Sequence, residues 1–218
     1  MTESEDIRTT RAAYDTVAAD YAETLRDDLA GNPFDRAVLD LFAELVDASE
    51  AVPVADVGCG PGRIAGYLAQ RGLPVRGIDL SPGMVAVARR DHPQLRFDVG
   101  TMLALDIVDG ALSGVVAWYS IIHTPPERLP AVFAEFRRVL APGGCLALAF
   151  QVGSERVHGT RAYGHDVTFD AYRLPPDEIE GLLTAAGFEL VARTVRQPFG
   201  SEKTPQAYLI ARLPVRPT

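Results

Sequence analysis

The 218-residue sequence predicts an α/β fold: a mostly parallel, seven-stranded sheet with helices on both faces. Three observations predict it. From residue 52 onward, short apolar runs alternate with segments of helical periodicity. The first run ends in a glycine-rich junction, Asp56-Val57-Gly58-Cys59-Gly60-Pro61-Gly62, and a helical pattern starts directly behind it. The last two runs have no helical stretch between them, so they should pair antiparallel.

Two helices are expected before the alternation begins. Residues 7–29 carry Tyr14, Val17, Ala18, Tyr21 and Leu25 at helical spacing. Gly31, Asn32 and Pro33 break the pattern, and residues 34–48 form the second helix. Strands follow at 52–57, 74–78, 95–99, 114–118, 145–151, 188–195 and 206–212. The first crossover helix spans 61–70, with Gly72 where a C-terminal cap belongs. Ser81-Pro82 opens the next helix, a side-chain cap followed by proline at the first helical position. Thr124-Pro125-Pro126-Glu127 has the spacing of a capping box, ahead of an apolar stripe of Leu129, Val132, Phe133, Phe136 and Leu140. Residues 152–174 read as a polar, histidine-bearing insert, and 175–186 as a helix ended by Gly187. The chain reads as one domain: a helical extension over 1–48, a core over 49–213, and the insert within it.

Composition narrows the function. Lysine and arginine total 21 against 29 acids, a net charge of −8, so no basic footprint for nucleic acid is present. The acidic, polar start is unlike a secretory signal, and no apolar run approaches the roughly eighteen residues of a membrane span. Cys59 and Cys145 fall at opposite strand ends, which disfavours a disulfide and fits a reducing cytoplasm. Oligomeric state is open between monomer and homodimer.

Glycines at a strand–helix junction let the chain turn sharply and let a ligand approach the main chain. The helix behind them offers free N–H groups. A nucleotide-sized pocket is expected there, at the carboxyl end of the first strand. Asp56 ends that strand, either capping loop amides or facing the ligand, and ligand proximity is the favoured reading. A nicotinamide-dinucleotide fold is the main competitor. Its G-x-G-x-x-G would need a third glycine where Arg63 stands.

With the motifs VADVGCGPG, GIDLSPGM and LAPGG in this order, the chain resembles the class I S-adenosylmethionine-dependent methyltransferases over nearly its whole length. Tyr14-Asp15-Thr16-Val17-Ala18, with Tyr21 beyond it, is similar to the small-molecule branch of that family. The resemblance implies a Rossmann-like three-layer sandwich with strand order 3-2-1-4-5-7-6, strand 7 antiparallel. It implies S-adenosyl-L-methionine as methyl donor and S-adenosyl-L-homocysteine as product. Gly58, Cys59 and Gly60, with Arg63 beside them, would lie by the methionine end of the donor. Asp79 would bind both ribose hydroxyls, flanked by Leu80 and Ser81. Met84 and Gly100-Thr101-Met102 would enclose the adenine, with Thr101 standing where many relatives have aspartate. Tyr14 and Tyr21 would form a mobile lid.

The resemblance leaves the acceptor open. Trp118-Tyr119-Ser120 leaves the fourth strand beside the pocket, without the Asp/Asn-Pro-Pro-Tyr of enzymes that methylate base amines. His123 is the foremost candidate base, set against a purely structural role; His158 and His165 in the insert are weaker ones. The insert should cover the substrate. No metal-ligand spacing is present. The expected reaction is methyl transfer to an O, N or S nucleophile of a small molecule. The alternatives are a non-catalytic binder of the donor or a metabolite, and an NAD-dependent oxidoreductase.

Overall fold

A computed structural model describes residues 4–46 and 52–215. The last residues of the expected second helix, and the boundary at 48/49, lie outside the described residues. In chain order the helices are α1 (Glu5–Thr24), α2 (Asp28–Gly31), α3 (Pro33–Leu45), α4 (Arg63–Ala69), α5 (Pro82–Asp91), α6 (Leu129–Val139) and α7 (Pro176–Ala185). The strands are β1 (Val54–Val57), β2 (Val75–Asp79), β3 (Arg96–Val99), β4 (Leu112–Trp118), β5 (Leu140–Gln151), β6 (Arg156–Ala162), β7 (His165–Tyr172), β8 (Glu189–Arg196) and β9 (Gln206–Arg212).

Seven strands form one sheet in the order β3-β2-β1-β4-β5-β9-β8. Numbered within the sheet alone, this is 3-2-1-4-5-7-6. The first five strands pair parallel, and β9 runs antiparallel to both neighbours. Alternate residues feed opposite layers, as the pleat requires. On one face Ala55, Val57, Val115, Leu146 and Leu148 pack with Phe133 and Phe136 of α6 and Leu183 of α7. On the other, Val54, Val116 and Ala147 pack with Leu39 and Phe42 of α3, Ile64 of α4 and Val85 of α5. The expected stripe on α6 is wholly buried.

Four expectations need correction. The first helix stops at Thr24, and a separate short α2 carries Leu29 into the core beside Leu39 and Phe42. The first crossover helix starts at Arg63, because Gly62 with φ +85° keeps the loop non-helical. Thr124 forms no capping box: its hydroxyl donates to Met102 Sδ at 3.4 Å, and α6 begins at Leu129 without a side-chain cap. A 3₁₀ turn, Pro126–Arg128, stands where the first helical turn was expected. The insert is no irregular loop; it holds the antiparallel hairpin β6–β7, packed against α1. Val167, Phe169 and Ala171 alternate along β7 and turn inward, a period-two signal inside a polar stretch.

A buried acid ties α3 to the sheet. Asp35 is 3% exposed and accepts from Trp118 Nε1 at 3.0 Å and Tyr208 OH at 2.6 Å. Asp35→Ala leaves both donors without this acceptor and removes the 3.9 Å ion pair with Arg196. Urea unfolding should show a loss of about 3 kcal/mol, typical of breaking a buried charged network; a loss below ~1 kcal/mol would remove this network from the fold's main supports.

Candidate active site

The parallel strands deliver their carboxyl ends to one edge, and a well-formed cavity lies there. Its volume is about 870 Å³, part of it open to solvent. Its floor comes from Val57, Gly58 and Gly60 after β1, Ile78 to Ser81 after β2, and Trp118 to Ser120 after β4. Met84, Gly100, Thr101 and Met102 form one side. Tyr14 and Tyr21 of α1 close the top, with His123 beside them.

Glycine is required in the loop. Gly58 has φ +76°, and a Cβ there would sit 2.2 Å from Ser120 Cβ. Gly60 has φ +53°, but a Cβ there would meet only Tyr21 Cε1, at 3.9 Å. Its backbone therefore faces the cavity rather than packed side chains. Asp79 accepts from Gly60 N at 2.7 Å and Ser81 N at 2.8 Å. Each carboxylate oxygen keeps a further lone pair for a ligand hydroxyl. Burial pushes the Asp79 carboxyl upward, against these amide hydrogen bonds. Ser81 caps α5 as expected, its hydroxyl accepting from Met84 N at 3.0 Å.

Three residues expected in this site stand off the cavity wall. Asp56 is fully buried beneath the loop and accepts from Ala65 N at 3.0 Å, in the first turn of α4. It thus caps a helix rather than facing the cavity, because it shares the inward face of β1 with Val54. Burial pushes its carboxyl up to about 7. Cys59 packs into the core, and burial raises its thiol. Arg63 pairs with Asp28 at 3.3 Å and borders a second, more open cavity. Thr101 is on the wall, with its hydroxyl turned to Leu103 N at 3.3 Å.

The three histidines divide sharply. His158 pairs with Asp170 at 2.9 Å and His165 with Asp20 at 2.7 Å, both at the surface and off the cavity wall. His123 is central. A short 3₁₀ turn, Ile121–His123, carries it off β4 into the cavity. Its Nδ1 lies 2.9 Å from the Asp170 carbonyl and its Nε2 2.6 Å from Tyr14 OH. A carbonyl only accepts, so Nδ1 bears the proton of the neutral ring and Nε2 accepts from Tyr14. Burial lowers the His123 pKa below its ordinary value and raises that of Tyr14. The ground state is therefore neutral imidazole and neutral phenol.

Sequence reasoning missed the residues that seat α1. Asp15 accepts from Ser81 Oγ at 2.5 Å and Gly83 N at 2.8 Å. Arg11 donates to the Leu80 carbonyl at 3.2 Å, and Arg128 to Asp6 at 2.6 Å. The tyrosine motif pointed to this helix, yet nothing in it showed that Asp15 docks on α5. The second cavity shares Tyr14, Tyr21, Trp118, Tyr119 and His123 with the first. These five side chains form a partition between two compartments. Tyr119 lies there with φ +52°, a sparsely populated conformation for a bulky residue.

Comparison with known proteins agrees with this layout. A family described as a methyltransferase domain matches residues 54–144, from β1 to the glycines within β5. Over that span the chain is similar to methyltransferase domains. It is 35% identical over 113 residues to methyltransferase GfsG of Streptomyces halstedii, covering 49% of this chain and 40% of that protein. A demethylmenaquinone methyltransferase of Chlorobaculum parvum is 35% identical over 101 residues, covering 46% and 41%. The match thus spans under half the length of these relatives. The structure of magnesium protoporphyrin IX methyltransferase from Synechocystis PCC 6803 with bound SAM superposes with a TM-score of 0.71 at 19% identity, over 98% of this chain and 99% of that one. At that identity the likeness speaks for the fold. Among the described residues, no helix is long and apolar enough to cross a membrane.

The elevated Asp56 carboxyl sets a pH dependence. Its pKa is higher folded than unfolded, so the folded state binds more protons between about pH 4 and pH 7. Stability from this residue is greatest below that window and declines as pH rises through it. Asp56→Asn should remove that decline in urea titrations across pH 4–8; an unchanged slope would refute the assignment.

Proposed function

We propose that this protein transfers the methyl group of S-adenosylmethionine to an O, N or S atom of a small molecule. The observation that carries the reading is the partition of Tyr14, Tyr119 and His123 between two compartments. One compartment suits the donor and the other an acceptor. The donor fit rests on three features. Asp79 offers two oxygens with spare lone pairs to a vicinal diol. The open backbone at Gly60 allows close approach of an amino-acid moiety. Ile78, Leu80 and Met84 supply an apolar wall for a flat base.

S-adenosylmethionine supplies a methyl group on a cationic sulfur, already activated toward nucleophiles. The protein's task is then to align the acceptor, exclude water and remove a proton. The Tyr14–His123 pair supports the last role. In this mechanism Tyr14 hydroxyl takes the acceptor proton while handing its own to His123 Nε2. The Asp170 carbonyl fixes the ring and stabilises the imidazolium that results. The lid, held by Asp15 and Arg11, keeps Tyr14 over the compartment boundary.

A non-catalytic binder would have the same donor compartment. Turnover to S-adenosylhomocysteine with a panel of phenols, amines and thiols separates the two readings, since a binder yields none. Asp79→Ala should weaken S-adenosylhomocysteine binding in calorimetry by a few kcal/mol at most, about two hydrogen bonds to a charged group. Unchanged affinity would sink the ribose role.

His123 must be neutral to accept a proton. The rate should therefore fall as pH drops through its lowered pKa, below about 6.5, and stay flat above it. His123→Ala should abolish this acid limb, and Tyr14→Phe should cut kcat tenfold or more with little change in donor affinity. Retention of the acid limb in His123→Ala would exclude His123 as the base.

A further inference from the structure

The second compartment has two features that its role as acceptor site does not by itself explain. The first is an unpaired cation. Most charged side chains on its wall are neutralised inside the protein. Arg63 pairs with Asp28, Arg173 with Glu155, and Arg196 with Glu202 and, at 3.9 Å, with Asp35, which also accepts from the neutral donors Trp118 and Tyr208. Lys203 is different. It is the chain's single lysine, it borders this cavity, and among the described residues its ammonium makes no ion pair or hydrogen bond. A lysine ammonium is a compact charge on a flexible stem, well suited to an anion at a cavity mouth.

The second feature is a tyrosine where the backbone disfavours one. Ala162 pairs with His165 across β6–β7, leaving Tyr163-Gly164 as a two-residue turn. Both take positive φ, +50° and +85°. Such turns favour Asn-Gly, because the first position penalises a bulky side chain. Tyr163 nonetheless occupies it, with its ring edge-on to Tyr21 at 5.0 Å and bordering the same cavity. Phe169 adds a third ring to this wall. A residue that weakens its own turn while presenting a ring to a cavity fits a binding role better than a folding one.

We propose that the acceptor is an aromatic anion, its ring held against Tyr21 and Tyr163 and its anionic group by Lys203. This rests on the methyltransferase reading and adds the acceptor's chemical class. A cationic acceptor would also favour aromatic rings, but it would meet the unpaired ammonium of Lys203.

The test is calorimetry on protein loaded with S-adenosylhomocysteine. The probes are 4-hydroxybenzoate, 4-hydroxyphenyl phosphate, 4-hydroxybenzamide and tyramine. The two anions should bind at least tenfold tighter than the amide, and their ratio separates carboxylate from phosphate. Lys203→Gln should erase the preference and Lys203→Arg retain it. Tyr163→Asn suits the turn, so it should melt no lower than the parent yet bind every aromatic probe several-fold more weakly. Equal affinity for anions and amide, no binding of any probe, tightest binding of tyramine, or a preference that survives Lys203→Gln would each overturn the proposal. Probe affinity unchanged in Tyr163→Asn would remove the ring's role and overturn it as stated. Loss of S-adenosylhomocysteine binding would instead strike the donor reading. The preference for anions is then read on the unloaded protein.

Discussion

The site depends on one steric constraint, the closeness of Gly58 to Ser120. The carboxyl ends of β1 and β4 approach so tightly that a single added carbon at Gly58 would lie 2.2 Å from Ser120 Cβ. Ser120 reinforces the closure by donating to the Val57 carbonyl at 2.7 Å. With no side chain to accommodate, the chain turns through positive φ and leaves bare backbone at the cavity floor. Asp79 then holds that backbone from the neighbouring strand through Gly60 N. Asp56 secures the helix behind it through Ala65 N. Thus two acids at adjacent strand ends do different work: one faces the cavity and one is sealed beneath it.

The second level of organisation is the roof. Helix α1 carries no covalent constraint toward the sheet. It is docked by Asp15 on the start of α5, by Arg11 on Leu80, and by the β6–β7 hairpin on its other side. Ala13, Val17, Met84, Val87 and Val167 form a small core of their own between these elements. This separate cluster lets the roof be stable without merging into the main core. Local, low-stability units of this kind are suited to opening for ligand exchange. The same docking brings Tyr14 to His123, so placement of the acid–base pair and closure of the roof are one structural event.

Much of the fold was legible in the sequence. Strand–helix alternation, the glycine junction and the unhelical link before β9 suffice for a parallel sheet with an antiparallel end. They are local signals, written in spacing and in backbone-permissive residues. The hairpin in the insert was partly legible, through the alternation of Val167, Phe169 and Ala171, but surrounding polar residues masked it. The capping box at Thr124 was a false signal, because the Thr124 hydroxyl turns to Met102 and a 3₁₀ turn precedes the helix.

At the site, the glycine junction and the family resemblance together named Gly58, Gly60, Asp79, Met84, Thr101, Tyr14 and His123, all of which line the cavity. They misplaced Asp56, Cys59 and Arg63, since nearness in sequence to a ligand loop does not say which way a side chain points. Sequence reasoning ranked His123 above His158 and His165 but could not settle whether His123 is a base, because a histidine's role depends on what faces its two nitrogens. By itself, the sequence determined where the backbone must bend and which face of each element is apolar. Only tertiary structure decided which side chains from distant elements meet. Tyr14 and His123 stand 109 residues apart, and their 2.6 Å contact exists because packing, not spacing, brings the roof down on the sheet.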